Sequence, residues 1–490
     1  MTGNPGPICD LFYDGGWHPT LGGERRPTYN PATGEALAEI AEAGAEDVDA
    51  VVAAARRGFR LWRDVTPAER AAILRETANR IRAHAEEFAA LDARNGGNPI
   101  DQLRNFVGLA ADSVDFFAGL VTEIKGDTIP MGPGRLNLSM REPYGVVARI
   151  VAFNHPFMFA ASRLAAPLVA GNVLILKPSD QAPLSALRLA DLVGDLYPAG
   201  VFNVVTGGAA AGAALANHPD IAMITLVGSV ATGRKIMAAA AATLKPVLLE
   251  LGGKNALIAY PDSDPDEVAA AAIAGMNFAW AGQSCGSTSR AFLHADIHDA
   301  VVERIAARLE GFGPGLPTEA GTRMGAIISR TQQQRILDYI ESAKAEGATL
   351  LTGGQAARDP ELVKGCFVEP TVFVDVTPAM RIAREEIFGP VLSVIRWRDE
   401  AAMLDQVNDT EYGLTCAIWT SDIDRALRAA SRVEVGYVWV NEVGKHFAGT
   451  NFGGYKMSGV GREEGLSELL AFTQEKNVHI RFRAGPAEPA

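Results

Sequence analysis

Basic charge is what this 490-residue sequence is short of: 45 Lys and Arg stand against 58 Asp and Glu, a formal net charge of −13. A field of that sign repels phosphate backbones and anionic lipid, and no Lys/Arg-rich run offsets it locally. Nucleic acid and membrane are therefore not expected partners. Cysteine is scarce as well. The four present (Cys9, Cys285, Cys366, Cys416) lie far apart, without CxxC spacing or the density of a disulfide framework. The eight histidines are scattered and include no HExxH, so no metal site is expected. Apolar runs such as 146–153 and 173–176 fall far below the ~18 residues of a membrane span. The opening residues 1–9 are polar and proline-rich, lacking the basic start and apolar core of a signal peptide. A soluble protein of a reducing, cytoplasmic compartment is the expectation.

What remains is an ordinary globular balance, 48% hydrophobic and 21% charged, with length for two to four domains. Ala-rich helical patterns alternate with short apolar runs, which predicts an α/β fold. Helices are expected over 45–63, 66–82, 85–94, 163–170 and 184–196. The second opens with Thr66-Pro67-Ala68-Glu69, which combines a capping residue, proline at the first position and glutamate at the third. Strands are expected over 145–153, 172–177, 201–205, 221–227 and 247–251, forming a parallel, doubly wound sheet with ligands beyond its carboxyl ends. Residues 120–143 break the rhythm: turn-rich and then alternating, they read as an inserted hairpin. Residues 478–482 alternate like a strand, and 484–490 read as a loose tail.

Six loops carry residues suited to chemistry. Lys177-Pro178-Ser179-Asp180 follows a buried strand, where an ammonium and a carboxylate can reach ribose hydroxyls. In Val227-Gly228-Ser229-Val230-Ala231-Thr232-Gly233 a strand turns into a helix whose free N–H groups suit a pyrophosphate. Glu250, in Leu249-Glu250-Leu251-Gly252-Gly253-Lys254, ends a buried strand, and a partly apolar setting would raise its pKa toward that of a general base. Cys285, in Gly282-Gln283-Ser284-Cys285-Gly286-Ser287, is flanked by small polar residues that leave sulfur accessible. Glu385-Glu386-Ile387-Phe388-Gly389-Pro390 and Asn451-Phe452-Gly453-Gly454-Tyr455-Lys456 are glycine-containing loops that do not explain themselves alone.

Together with Phe153-Asn154-His155-Pro156, and in this order, these motifs resemble the aldehyde dehydrogenase superfamily over about residues 28–482. The resemblance implies a Rossmann-type dinucleotide-binding domain (1–119 and 144–252), a catalytic α/β domain (253–457) and oligomerisation segments (120–143 and 458–490). It implies Cys285 as the nucleophile, Asn154 as an oxyanion-hole donor, and Glu250 as the base that hydrolyses the thioester. NAD is the implied cofactor. Lys177 and Asp180 would hold its adenosine ribose, with Gly228, Ser229, Gly233 and Leu251 near the pyrophosphate and Glu386 and Phe388 at the nicotinamide end. Phe157, Ser162, His446, Phe447 and Phe452 are implied substrate-tunnel residues.

The sequence departs from the family pattern in places. Asp180 is one methylene shorter than the usual glutamate, so tolerance of NADP is expected beside NAD. Phe153 stands where many members have Trp, and Asn451 replaces a common Pro. A homodimer or homotetramer is expected, because a protruding strand pair needs partners. Two other readings compete. A CoA-acylating semialdehyde dehydrogenase typically lacks the glutamate at Glu250's position, whereas a thiol hydrolase would have no use for the nucleotide loops.

Overall fold

A computed structural model describes residues 9–482; the start at 1–8 and the tail expected at 484–490 lie outside the described residues. Two large sheets form where apolar runs bury strands on both faces. The first has eight strands. Its central five (Phe202–Val204, Val173–Lys177, Val146–Ile150, Met223–Val227 and Val247–Glu250) lie side by side in that order and run parallel. Antiparallel strands Leu11–Tyr13 and Gly459–Val460 flank them, and Gly16–His18 forms the outer edge. Strand order reverses between Val146–Ile150 and Met223–Val227. Such a switch point opens a crevice beyond the carboxyl ends, where ligands bind.

The second sheet has seven strands. Thr371–Val374, Val391–Trp397, Arg290–His294, Ala256–Ala259, Thr415–Trp419 and Tyr437–Val440 are parallel, with Thr349–Thr352 antiparallel at one edge. Each sheet has its own hydrophobic core, the first around Leu174, Ile175 and Leu164, the second around Phe292, Ile258 and Ile418. The fold is mixed α/β, as the alternating pattern implied.

Local chemistry explains several element boundaries. Thr66 caps helix Pro67–Ala83 by accepting from Glu69 N at 3.3 Å, while Glu69 accepts from Thr66 N at 3.0 Å. Helix Pro156–Val169 begins well before the expected residue 163, since Pro156 at its first turn sacrifices no intrahelical bond. The strand before it ends at Ile150, so Phe153, Asn154 and His155 form the turn between them. Helix Ile100–Gly119 was not anticipated; Gly108 and its interleaved acidic and aromatic residues blur the apolar period.

The expected hairpin is present: Thr128–Pro130 pairs with Arg135–Pro143, which pairs in turn with Thr473–Arg481. The C-terminal segment divides. Gly459–Val460 enters the first sheet, and Leu469 and Phe472 join the first core; the strand from Thr473 onward enters the small sheet. Among the described residues no helix is long and apolar enough to cross a membrane, and no group of three or more His, Cys, Asp or Glu is placed to hold a metal ion.

Candidate active site

Four of the candidate residues stand at or just beyond the carboxyl ends of adjacent parallel strands. Lys177 ends Val173–Lys177, Asn154 follows Val146–Ile150, Ser229 follows Met223–Val227, and Glu250 ends Val247–Glu250. Cys285, Glu386 and Phe388 instead precede strands of the second sheet, Arg290–His294 and Val391–Trp397. The carboxyl ends of one sheet therefore meet the amino ends of the other, and the predicted residues gather at that seam.

The end of the Glu250 strand is held by backbone bonds. Gly228 N donates to Glu250 O at 3.0 Å and Leu251 N to Ser458 O at 2.9 Å. Gly459 pairs with Glu250 at φ +151°, and a Cβ there would stand 2.2 Å from Leu249 O, so only glycine fits. The Glu250 side chain is buried and lies beside the Cys285 thiol. Burial raises its carboxyl to about 8, with nearby Glu463 adding to the rise; the neighbouring Cys285 thiol and the Arg163 charge oppose it. Burial, followed by the adjacent Glu250 carboxylate, pushes the thiol well above its ordinary value. In this arrangement both the thiol and the neighbouring carboxyl hold their protons more tightly than in water.

The cysteine loop is held by Asn255, whose Nδ2 donates to Cys285 O at 2.6 Å and Ser287 O at 3.0 Å. Thr415 N fixes the other end of that amide at 3.0 Å. Trp280 Nε1 donates to Asn154 O at 2.9 Å, and Asn98 Nδ2 donates to the same oxygen at 2.9 Å. The loops that carry Cys285 and Asn154 are thereby linked. Sequence reading missed Asn255, Trp280 and Asn98; only the position of Asn255 right after the LELGGK motif could have pointed to it.

Glu386 lies against the glycine pair after Glu250. Gly253 N donates to its Oε1 at 3.0 Å, and a Cβ on Gly252 would stand 2.1 Å from its Oε2. Phe388, at φ +56°, stands edge-on to Phe153 with ring centroids 5.7 Å apart. That unfavourable backbone is held by Gln332, whose Nε2 donates to Ile387 O at 3.0 Å and Phe388 O at 2.9 Å. Lys254 is buried beside them without a hydrogen-bond partner among the described residues, and burial lowers its ammonium to about 7.

Across the seam, Ser229 caps helix Val230–Ala241, its Oγ accepting from Thr232 N at 3.2 Å. Gly233 lets that helix approach Leu251, whose Cδ1 would stand 2.7 Å from an added Cβ. Lys177 is buried, and desolvation lowers its ammonium from the usual range.

The tunnel candidates separate into two groups. Phe157 is 1% exposed and stacks on Phe88 in the first core, and Ser162 donates its hydroxyl to Met158 O at 2.6 Å; both occupy core positions. His446 and Phe452, by contrast, stand 4.6 Å apart beside Tyr437 and Trp439, with His446 Nδ1 2.8 Å from Glu464 Oε2, while Phe447 is exposed. Behind Glu250 lies a buried ion network that sequence reading also missed. Arg149 contacts Glu463 at 2.7 Å and Glu468 at 2.9 Å, and Arg163 contacts Glu463 at 2.9 Å.

A thiol beside a buried carboxyl, at a switch point rimmed by glycine turns and a helix N-terminus, has the layout of a nucleotide-dependent α/β enzyme. The family model described as aldehyde dehydrogenase matches residues 17–478, and the chain belongs to that family. It is 50% identical over 481 residues to aldehyde dehydrogenase tropH of Talaromyces stipitatus, spanning 96% of this chain and 93% of that protein. The NAD+ complex of an aldehyde dehydrogenase from Bacillus cereus is 38% identical, with a TM-score of 0.94 over 97% of each chain. PnpE from Pseudomonas sp. WBC-3, solved with nicotinamide adenine dinucleotide, is 38% identical with a TM-score of 0.95, over 98% of this chain and 99% of that one.

Proposed function

We propose that the protein oxidises an aldehyde to a carboxylic acid with NAD, through a covalent intermediate on Cys285. The observation that carries this reading is the placement of Cys285 beside the buried Glu250 carboxyl at the meeting of the two sheets. Sulfur adds to the carbonyl carbon as its proton passes to solvent, giving a thiohemiacetal. The Asn154 amide and the Cys285 backbone N–H stabilise the developing oxyanion; one such donor typically contributes about 3 kcal/mol. After oxidation to the thioester, Glu250 takes a proton from the water that hydrolyses it.

The residues present fit a dinucleotide. Lys177 and Asp180 suit the adenosine ribose, and the Ser229-capped helix with Gly228, Gly233 and Leu251 suits the pyrophosphate. Glu386, cradled on Gly252 and Gly253, suits the second ribose, with Phe388 beside the nicotinamide. NAD, when bound, supplies the hydride acceptor. Free thiols at Cys285, Cys366 and Cys416 fit a reducing compartment such as the cytoplasm. The three-stranded arm, with Ile129, Met131 and Met140 exposed, fits assembly as a homodimer or homotetramer.

The test is NADH formation over a panel of aldehydes without CoA, with Cys285→Ala as control. Wild type should turn over and the variant should not. A requirement for CoA would transfer the assignment to acyl transfer, and aldehyde-independent ester cleavage to a thiol hydrolase.

A further inference from the structure

Four charged side chains converge near the carboxyl end of strand Val173–Lys177. Asp180 pairs through Oδ2 with Nη1 of Arg26, which belongs to the separate hairpin strand Arg25–Tyr29. Arg26 Nε lies 2.9 Å from Glu42 Oε2. Glu42 Oε1 in turn accepts from Gly208 N at 2.8 Å, and Gly208 caps helix Ala209–Asn217. A Cβ on Gly208 would stand 3.1 Å from both Arg26 Nη2 and Glu42 Oε1, so the cluster closes around a glycine. Lys177 lies within the same field: Asp180, Glu42 and Arg26 all act on its ammonium.

A lone carboxylate beside an adenosine ribose does two things. It accepts from the 2′-hydroxyl, and it repels a phosphate at that position. Asp180 is not alone. Its charge is met by a guanidinium that also binds Glu42, so two cations (Lys177, Arg26) balance two anions (Asp180, Glu42). The net negative charge that would turn away a 2′-phosphate is missing. Arg26 and Asp180 keep 39% and 34% of their side-chain surface, so both remain within a ligand's reach. A guanidinium offers five donors, more than its two carboxylate contacts use, and its planar fork matches phosphate geometry.

We propose that Arg26 sets the choice between NAD and NADP: it holds Asp180 on the side of Glu42 and offers its guanidinium to a 2′-phosphate, so that the enzyme accepts both dinucleotides. The inference rests on the adenosine ribose lying at Lys177 and Asp180, as proposed above. Loss of Arg26 has an asymmetric consequence. It removes a phosphate ligand and at the same time releases an unpaired Asp180 carboxylate, which favours a hydroxyl and disfavours a phosphate.

Equilibrium titration of NAD and NADP, followed by quenching of tryptophan fluorescence, tests this independently of turnover, with KM for each dinucleotide as a second readout. Wild type should bind both. Arg26→Ala should lower the affinity for NADP relative to NAD by about tenfold or more, the loss expected for a charge-assisted hydrogen bond. Asp180→Asn should shift the ratio the other way, which keeps the test alive if Arg26→Ala melts early. Equal weakening of both dinucleotides in Arg26→Ala, or a wild type that binds NAD and not NADP, would overturn the inference while leaving the oxidative reading intact. Binding of neither dinucleotide by wild type would overturn the cofactor placement, and this inference with it.

Discussion

The indole N–H of Trp280 donates to the backbone oxygen of Asn154 at 2.9 Å, so a residue five positions before the cysteine fixes the loop of the amide that would face its substrate. Asn98 donates to the same oxygen, and Trp280 also stacks on His155 with centroids 5.1 Å apart. The Trp280→Phe variant keeps a ring in the stack and loses one donor. A net cost of about 1 kcal/mol in stability is expected, the usual worth of such a bond. Catalysis should lose more, about tenfold in kcat with KM nearly steady, because small misplacements of a reacting geometry are costly. Thermal melting beside steady-state kinetics separates the two effects; equal losses in kcat and stability would argue that Trp280 only packs.

Glu250 gives a prediction about pH. Its carboxyl is raised to about 8, chiefly by burial, so at lower pH it is largely protonated and cannot take a proton from water. Thioester hydrolysis should therefore rise with pH and level off above about 8. In Glu250→Gln that ascending limb should vanish, and pre-steady-state mixing should show a burst of reduced cofactor followed by slow turnover. A variant with neither burst nor turnover would place Glu250 in the first half of the reaction instead.

The sequence revealed one half of this site better than the other. Residues that must stand next to glycine turns, such as Glu250, Cys285, Glu386 and Ser229, were legible because those turns are local and chemically constrained. The resemblance turned six such turns into one pattern, and the folded chain brings them to one seam. What lay hidden were contacts made across sequence distance. Asn255 grips the Cys285 loop from thirty positions away, and Trp280 reaches Asn154 over 126. No signal was read in the run Arg462-Glu463-Glu464, yet Glu463 is 1% exposed because Arg149 and Arg163 come from other elements to pair with it. Phe157 and Ser162 show the reverse: the resemblance implied them as tunnel residues, while their helix is buried on nearly every side and both side chains pack in the interior.

That ion network carries a stability prediction. Arg149 is the cation between Glu463 and Glu468, and all three side chains are almost completely buried. The Arg149→Met variant leaves two carboxylates with less compensation, and removing one partner of a buried pair costs about 3–5 kcal/mol. The denaturant midpoint should fall accordingly at pH 8. The deficit should shrink as pH falls, because protonating a carboxylate removes the charge left without a partner. A deficit that does not change with pH would assign the loss to packing of the Arg149 side chain on Phe472, over which its guanidinium lies 5.0 Å from the ring centroid.

Gly252 tests where the nicotinamide end of the cofactor is held. A methyl group there would meet Glu386 Oε2 at 2.1 Å and nothing of the backbone among its nearest neighbours, so the Gly252→Ala side chain displaces the tip of a flexible residue and leaves the main chain in place. The Gly253 N–H would lose its 3.0 Å bond to Glu386 Oε1 as the carboxylate moves off. Melting should change by about 1 kcal/mol or less, the value of one hydrogen bond. If Glu386 holds the ribose, KM for NAD should rise about tenfold, and Glu386→Gln, which keeps the shape and removes the charge, should show a smaller rise of the same sign. A Gly252→Ala enzyme with normal melting and an unchanged KM for NAD would mean that the carboxylate cradled on this glycine pair serves the loop's own structure, and that the second ribose is held elsewhere along the seam.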